Sequence, residues 1–171
     1  MIFDYTSIYR KIEWAEDIYA RFGDLILEDS KIQKLLVMVE GSVDDTCLFM
    51  KKLGTIDMCA KCANEDGGCC NERIDNFFDR KTLLINLLLG VRLPHERETR
   101  RGCFFQGKKG CKLKVREIIC VDTYCDEILE KVDEDEMHKL QVVAGRELLT
   151  VFELQERISV ILNGLVDETG K

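Results

Sequence analysis

The first fifty residues carry apolar side chains at the three- and four-residue spacing of amphipathic helices. The first stripe comprises Ile8, Ile12, Ala15, Tyr19 and Phe22. Gly23 follows this stripe as a predicted helix stop. Ser30 and Gln33 form a capping-box pattern that predicts the start of a second helix. Its apolar face extends from Ile32 to Met50, with Gly41-Ser42 as a candidate break.

The C-terminal third carries a longer apolar stripe at the same helical spacing. It comprises Met137, Leu140, Val143, Ala144, Leu148, Val151, Leu154, Ile158, Ile161, Leu162 and Leu165. Asp133 and Glu136 precede it as a capping signal, and Gly164 is the predicted stop. We interpret this stripe as a face that packs against the N-terminal helices.

Between the helical arms, the pattern predicts one helix over Asp79 to Leu89, closed by Gly90. Val115 to Val121 is a candidate for one short strand, and turn residues dominate the rest. The fold class is therefore mainly α, with a bundle formed by N-terminal helices (1–55) and C-terminal helices (127–171). A loop-rich cysteine-cluster module is predicted as an insertion at 56–126, within a single domain covering 1–171.

The composition narrows the class of protein. An apolar fraction of 46% excludes intrinsic disorder and supplies a core that does not depend on cross-links. No apolar secretory signal opens the chain. The longest apolar run, Leu83 to Val91, contains Asn86 and falls far short of the ~20 residues that cross a membrane. We therefore expect a cytoplasmic protein without a membrane partner, in which thiols stay reduced.

Cysteine is enriched to nine residues, and eight of them lie in the middle of the chain. Cys47 falls on the apolar face of the second predicted helix and is interpreted as a core residue. The predicted metal ligands are the other eight: Cys59, Cys62, Cys69, Cys70, Cys103, Cys111, Cys120 and Cys125. In a reducing compartment such a group indicates metal binding rather than disulfides, which remain a third alternative.

The spacing of these cysteines leaves iron–sulfur and zinc chemistry open. Cys59 and Cys62 form one C-x2-C pair, whereas structural zinc sites commonly use two such pairs. The adjacent Cys69-Cys70 and the longer later gaps favour an iron–sulfur cluster, whose thiolates are gathered from irregular loops. The working partition places Cys59, Cys62, Cys70 and Cys120 in a first ligand set and the remaining four in a second.

The same segment resembles a known family. A short predicted helix follows the opening cysteines. Three motifs come next: Gly102-Cys103-Phe104-Phe105, Gly110-Cys111-Lys112-Leu113 and Arg116-x3-Cys120. Their order is similar to that of YkgJ-type cysteine-cluster proteins over residues 56–126, and the resemblance implies a zinc- or iron-chelating domain. The chain departs from that pattern in the six residues before Cys69-Cys70, where the family has two, and in Glu117, where a proline is expected.

The net charge of −7 conceals a basic segment. Residues 91–116 carry nine basic and two acidic side chains, a balance of +7, so the rest of the chain has a balance of −14. One interpretation is a docking surface for a redox or substrate protein. The other is local compensation of anionic thiolates by neighbouring cations. The segment contains no nucleic-acid-binding motif, which argues against a nucleic-acid partner.

Other candidate chemistry is sparse. His95, at the border of the cysteine-rich segment, is a weaker ligand candidate, and an exposed loop histidine is the preferred interpretation. The sequence contains no P-loop, dinucleotide-binding fingerprint or Ser/His/Asp arrangement. The sequence therefore predicts a protein that holds an iron–sulfur cluster for electron transfer or a metal-dependent modification reaction. The alternative is a structural zinc-binding module that shapes an interaction surface without catalysis.

Overall fold

The chain forms a mainly helical structure. The computed structural model describes residues 7–65 and 68–169, with no side chain described at 63–65 or 166–169. In these ranges the α-helices are α1 (Ile8–Glu28), α2 (Ser30–Lys52), α3 (Thr55–Glu65), α4 (Arg80–Leu88), α5 (Ile118–Val121), α6 (Asp126–Lys131) and α7 (Glu134–Thr169). A 3-10 helix spans Glu72–Phe77, and the strands β1 (Gln106–Gly107) and β2 (Gly110–Cys111) form an antiparallel pair.

Helix α1 extends further towards α2 than the sequence predicts. The predicted stop at Gly23 is wrong, because this glycine is buried inside α1 and the apolar stripe continues to the fully buried Ile26. The break falls at Asp29, whose carboxylate accepts hydrogen bonds from the backbone N–H groups of Lys31 and Ile32. Asp29, rather than Ser30, therefore caps α2. The hydrogen bond from Arg157 lowers the pKa of Asp29 to about 2.

Helix α2 is continuous and lies antiparallel to α7. The candidate break at Gly41-Ser42 is wrong, because both residues lie within α2. The Ser42 and Thr150 hydroxyls are 2.9 Å apart and join the middles of α2 and α7. Lys52, at the C-terminal end of α2, pairs with Glu136, near the N-terminal end of α7, at 2.9 Å. The two helices therefore run antiparallel. The most extensive helix–helix contact among the described elements is this α2–α7 packing.

The caps of α7 and α4 follow the sequence pattern more closely. Asp133 accepts hydrogen bonds from the backbone N–H groups of Asp135 and Glu136, which confirms the predicted start of α7. The predicted stop at Gly164 is wrong, since α7 continues to Thr169. Asp79 caps α4, and Gly90, at φ 78°, follows its end. Helix α4 belongs to the main core, where it packs on α1 and also contacts α7.

The segment predicted as a strand forms other contacts. Val115 to Val121 contains the short helix α5, so the predicted strand is wrong. The fully buried Asn86 of α4 explains this result, because its side chain takes the place of a strand partner. Its amide Oδ1 accepts from the backbone N–H groups of Lys114 and Val115, and its Nδ2 donates to the Thr82 and Val115 carbonyls.

Replacing Asn86 with alanine is expected to destabilise the fold by about 3 kcal/mol. The variant loses four hydrogen bonds, of which three are buried and contribute about 1 kcal/mol each, and leaves backbone groups of Lys114 and Val115 without partners. Urea unfolding of Asn86→Ala measures the effect. The exposed Asn163 offers a matched control, and Asn163→Ala is expected to change the stability by less than about 0.5 kcal/mol. Equal stabilities of the two variants would contradict this account.

Among the described residues, no helix combines the length and apolar character that a bilayer-spanning segment requires.

Candidate functional site

The eight central cysteines come from several local structures. Cys59 and Cys62 lie three residues apart on α3, so the C-x2-C pair projects from one helical face. Cys69-Cys70 precede the 3-10 helix, and Cys103 follows a backbone bridge between Asn71 and Gly102. The remaining three are Cys111 in β2, Cys120 in α5 and Cys125 at the start of α6. None of the nine cysteines, all of which the structure describes, forms a disulfide.

These eight cysteines line two pockets that share part of their walls. The larger pocket has a volume of about 200 Å³. Its cysteines are Cys59, Cys69, Cys70, Cys103, Cys111 and Cys120. The smaller pocket has a volume of about 10 Å³. Its cysteines are Cys59, Cys62, Cys69, Cys70 and Cys125.

Three cysteines therefore face both pockets: Cys59, Cys69 and Cys70. The working partition from the sequence put Cys62 and Cys120 in one ligand set. The structure instead places Cys62 along the smaller pocket and Cys120 along the larger one. Cys47 lines neither pocket. It is half-buried on α2 and packs against the main core, as its position on the apolar face predicts.

The arrangement is not that of a closed coordination site. Across residues 7–65 and 68–169, no group of three or more His, Cys, Asp or Glu side chains is positioned to hold a metal ion. The donor chemistry nevertheless suits soft metals, because thiolates select zinc and iron–sulfur clusters over hard cations. Apart from the cysteines, the wall of the larger pocket is mainly apolar and includes Ile56, Ile74, Phe78 and Ile119.

Burial keeps most of these thiols protonated. It raises the pKa of Cys59 to about 11 and the pKa values of Cys103 and Cys120 to about 12. The pKa of Cys111 is also raised, chiefly by burial. Removing charged groups from water disfavours their ionised forms, and neighbouring thiolates repel one another. A metal cation would reverse this balance, so binding should release protons.

Cys69 differs from its neighbours. A hydrogen bond from the Cys70 thiol lowers the pKa of Cys69 to about 6. The same hydrogen bond, followed by burial, raises the pKa of Cys70. Cys69 is therefore the first thiol of the pair to ionise. Because thiolates rather than thiols bind metals, Cys69 is the candidate for the first metal contact.

Arg116 supplies positive charge to the larger pocket. It is the one basic side chain among the described residues that line this pocket. Its charge opposes the effect of burial on the pKa values of Cys59, Cys111 and Cys120. Its guanidinium Nη2 lies 3.7 Å from the Met50 sulfur. For this one residue of the basic segment, the structure supports the interpretation of local charge compensation.

Arg116 interacts electrostatically with a buried carboxylate, that of Glu147. Glu147 of α7 is fully buried, and neither of its carboxylate oxygens has a hydrogen-bond partner within the described residues. Burial raises the pKa of Glu147, while the Arg116 charge opposes that shift. The sequence did not predict that Glu147 is buried, because it is a charged residue beside the apolar stripe of α7.

Asp75 holds the cysteine-bearing loops together. One oxygen of its buried carboxylate accepts a hydrogen bond from the Phe104 backbone N–H at 2.8 Å, and the other pairs with Arg97. Arg97 also donates to the Gly102 carbonyl. Next to this network, the Cys103 N–H donates to the Cys70 carbonyl at 2.8 Å. Sequence reasoning missed Asp75, because its partners are 22 and 29 residues away.

The backbone at Gly68 passes close to the Cys62 side chain. Its φ of 34° lies in the left-handed region, and a Cβ atom there would lie 2.3 Å from the Cys62 sulfur. Only glycine therefore fits without displacing the Cys62 thiol. In the sequence, Gly68 looked like an ordinary turn residue.

The histidines lie apart from both pockets. His95 is exposed, and its Nε2 lies 3.2 Å from a carboxylate oxygen of Glu16 on α1. His138 is exposed on α7. The residues lining the pockets include neither one, which agrees with the preferred interpretation of His95 as a loop residue.

Glu117 links the Cys120 segment to α4 and is expected to make stability depend on pH. Its Oε1 accepts from the Asp79 backbone N–H at 2.8 Å. Burial raises the pKa of Glu117 from 4.5 to about 7. Between these values the unfolded chain has lost a proton that the folded chain retains. The free energy of unfolding therefore falls by on the order of 3 kcal/mol as the pH rises from about 4.5 to about 7.

Glu117→Gln tests this dependence, since the amide oxygen can still accept the bond but does not titrate. The unfolding free energy of the variant should lack this fall when it is measured by urea unfolding across the same pH range. The exposed Glu153 provides the control, and Glu153→Gln should retain the wild-type slope. An unchanged slope in Glu117→Gln would rule out the burial effect.

No family model, curated protein or solved structure matches this chain. Fold and site therefore define its class on their own terms. The chain is a mainly helical protein with two adjoining pockets lined by cysteines.

Proposed function

We propose that this protein binds an iron–sulfur cluster through cysteine thiolates and uses it for electron transfer or a metal-dependent modification reaction. The observation that carries the proposal is the larger pocket, where six thiols border one cavity of about 200 Å³. The cysteines come from α3, α5, β2 and the loops between them. Gathering thiolates from irregular segments in this way is typical of iron–sulfur ligation.

The volume of the larger pocket favours a cluster over a single ion. A cavity needs roughly 10–15 Å³ to accommodate one water molecule. The smaller pocket therefore has room for about one water-sized species. The larger pocket exceeds that requirement more than tenfold. A mononuclear zinc ion would leave most of this space empty, whereas a cluster of several iron and sulfide ions would fill more of it. The mainly apolar wall would shield such a cluster from water.

The smaller pocket supports the second candidate, a structural zinc site. Its water-sized volume and five bordering cysteines suit one ion with four thiolate ligands. In this case the protein would present an interaction surface without catalysis. The same donor chemistry is what the resemblance to YkgJ-type cysteine-cluster proteins implies, and under both candidates residues 56–126 act as the metal-binding module. A reducing, cytoplasmic setting would keep the thiols available.

Metal analysis on protein purified without air separates these candidates. The iron–sulfur proposal predicts a brown protein with a visible charge-transfer band and matching amounts of iron and acid-labile sulfide. A colourless protein that contains zinc and no iron would overturn it and support the structural candidate. A metal-free protein whose denatured chain lacks free thiols would defeat both and indicate disulfides.

A further inference from the structure

The structure divides the basic segment 91–116 into paired and unpaired side chains. Lys112 pairs with Glu98 at 2.7 Å, and Lys114 and Arg97 pair with Glu40 and Asp75. Arg116 faces the larger pocket. Five exposed side chains of the segment have no ion pair within the described part of the chain. One is Arg92, and we call the other four the cationic rim: Arg100, Arg101, Lys108 and Lys109.

Two contacts bring the halves of the cationic rim together. The Glu98 carboxylate accepts from the Lys108 backbone N–H at 3.2 Å and pairs with Lys112, so Glu98, two residues before Arg100, lies against the β1–β2 hairpin. Gly102 completes this packing, because a Cβ there would lie 2.2 Å from the Gln106 Oε1.

The cationic rim also adjoins the larger pocket through the chain itself. Arg101 is two residues before Cys103, and Lys109 is two residues before Cys111. Both cysteines line the larger pocket. An occupant of the pocket bound to these thiols would therefore lie two residues along the chain from Arg101 and from Lys109.

The positive charge of the cationic rim favours a partner with an acidic surface. The rim carries four positive charges on a chain whose net charge is −7, so an acidic surface is attracted here and repelled elsewhere. Single-stranded nucleic acid is a poorer match, since such sites add exposed aromatic side chains for stacking. The aromatic residues of this segment, Phe104 and Phe105, are fully buried.

We propose that the cationic rim docks an acidic electron-transfer protein and brings it next to the larger pocket. This inference rests on the proposed function, because it requires a redox-active cluster in that pocket. One electron leaves the reduced cluster of the partner and enters the oxidised cluster of this protein. No bond forms or breaks, and no proton is required.

The test compares the reconstituted wild type with a charge-reversal variant of the rim. The variant carries Arg100→Glu, Arg101→Glu, Lys108→Glu and Lys109→Glu. A control variant makes the same change in charge at exposed residues outside the basic segment: Arg10→Glu, Lys31→Glu, Lys34→Glu and Arg146→Glu. Stopped-flow absorbance records reduction of each protein by a reduced plant-type ferredoxin, an acidic donor. A sulfonated viologen, whose reduced form carries one negative charge, serves as the small-molecule donor without a docking surface.

The expected result has three parts. Ferredoxin should reduce the wild type at least ~10-fold faster at low ionic strength than at about 0.3 M salt. The rim variant should be at least ~10-fold slower than both the wild type and the control variant at low ionic strength. The viologen should reduce all three proteins at rates within about twofold, because it needs no charged docking surface.

Several outcomes overturn the proposal. Equal ferredoxin rates for the rim and control variants would show that net charge, not the rim, governs association. Tighter binding of a single-stranded oligonucleotide than of ferredoxin to the wild-type rim would favour nucleic acid as its ligand. Failure of reconstitution to give a visible cluster spectrum would instead defeat the proposed function, and the inference with it. A normal spectrum with equal ferredoxin rates would defeat the inference alone.

Discussion

Cys59→Ser is expected to remove most of the metal from this protein, in the range of a ~10- to 100-fold loss of affinity or more. Cys59 lines both pockets, so its loss removes a donor from each at once. Serine has nearly the same shape, but its hydroxyl does not ionise near neutral pH and is a poor ligand for soft metals. Metal content per chain after purification without air measures the effect, and circular dichroism checks that the helices remain.

Cys47→Ser is the matched control. Cys47 is also a helical cysteine and is half-buried, but it lines neither pocket. Its substitution should leave the metal content unchanged, with at most a modest loss of stability from placing a hydroxyl against the core. Equal losses of metal in the two variants would show that the pockets do not identify the ligands. Full retention of metal in Cys59→Ser would exclude Cys59 as a ligand.

Asp75→Ala is expected to destabilise the fold by about 3–5 kcal/mol, the cost of removing one partner of a buried ion pair. Only 7% of Asp75 is exposed. Alanine leaves the Arg97 guanidinium without its carboxylate and the Phe104 N–H without an acceptor. Because these groups hold the loop that bears Cys103, the loss should also lower metal content. Urea unfolding of the metal-free protein separates the stability effect from the binding effect.

Asp17→Ala serves as the control for an aspartate in an ion pair. Asp17 pairs with Arg21 at 3.1 Å on the exposed side of α1, where more than half of each side chain is accessible. Exposed pairs of this kind contribute roughly 0.5 kcal/mol or less, so this variant should unfold nearly as the wild type does. A loss below about 1 kcal/mol in Asp75→Ala would mean that the loops are held by other contacts.

The sequence predicted the long helices because helical periodicity is a local property, but it missed α3, which forms in the segment expected to be rich in loops. The stripes from Ile8 and from Met137 correctly located α1 and α7, and the Asp133 capping signal placed the start of α7. The glycine stops were less reliable. Gly23 and Gly164 both lie inside helices, and at Gly23 tertiary packing of an apolar face that continues to Ile26 outweighs the ~1 kcal/mol that a glycine costs a helix.

The segment after Cys111 shows where local pattern was insufficient. Val115 to Val121 is rich in β-branched residues, yet the backbone N–H and carbonyl of Val115 bond to Asn86 and the chain then enters α5. Asn86 looked like an interruption of an apolar run. Only the fold reveals that it satisfies four hydrogen bonds across 4 to 29 residues of sequence.

By itself the sequence determined the helical class, the separation of Cys47 from the other eight cysteines, and the chemistry that those thiols offer. These properties depend on residue type and short-range spacing. Tertiary structure decided which cysteines border the same pocket, that Cys59, Cys69 and Cys70 face both, and which basic residues stay unpaired. Such decisions depend on contacts between residues far apart in the chain, such as Asp75 with Phe104, and spacing along the sequence does not encode them.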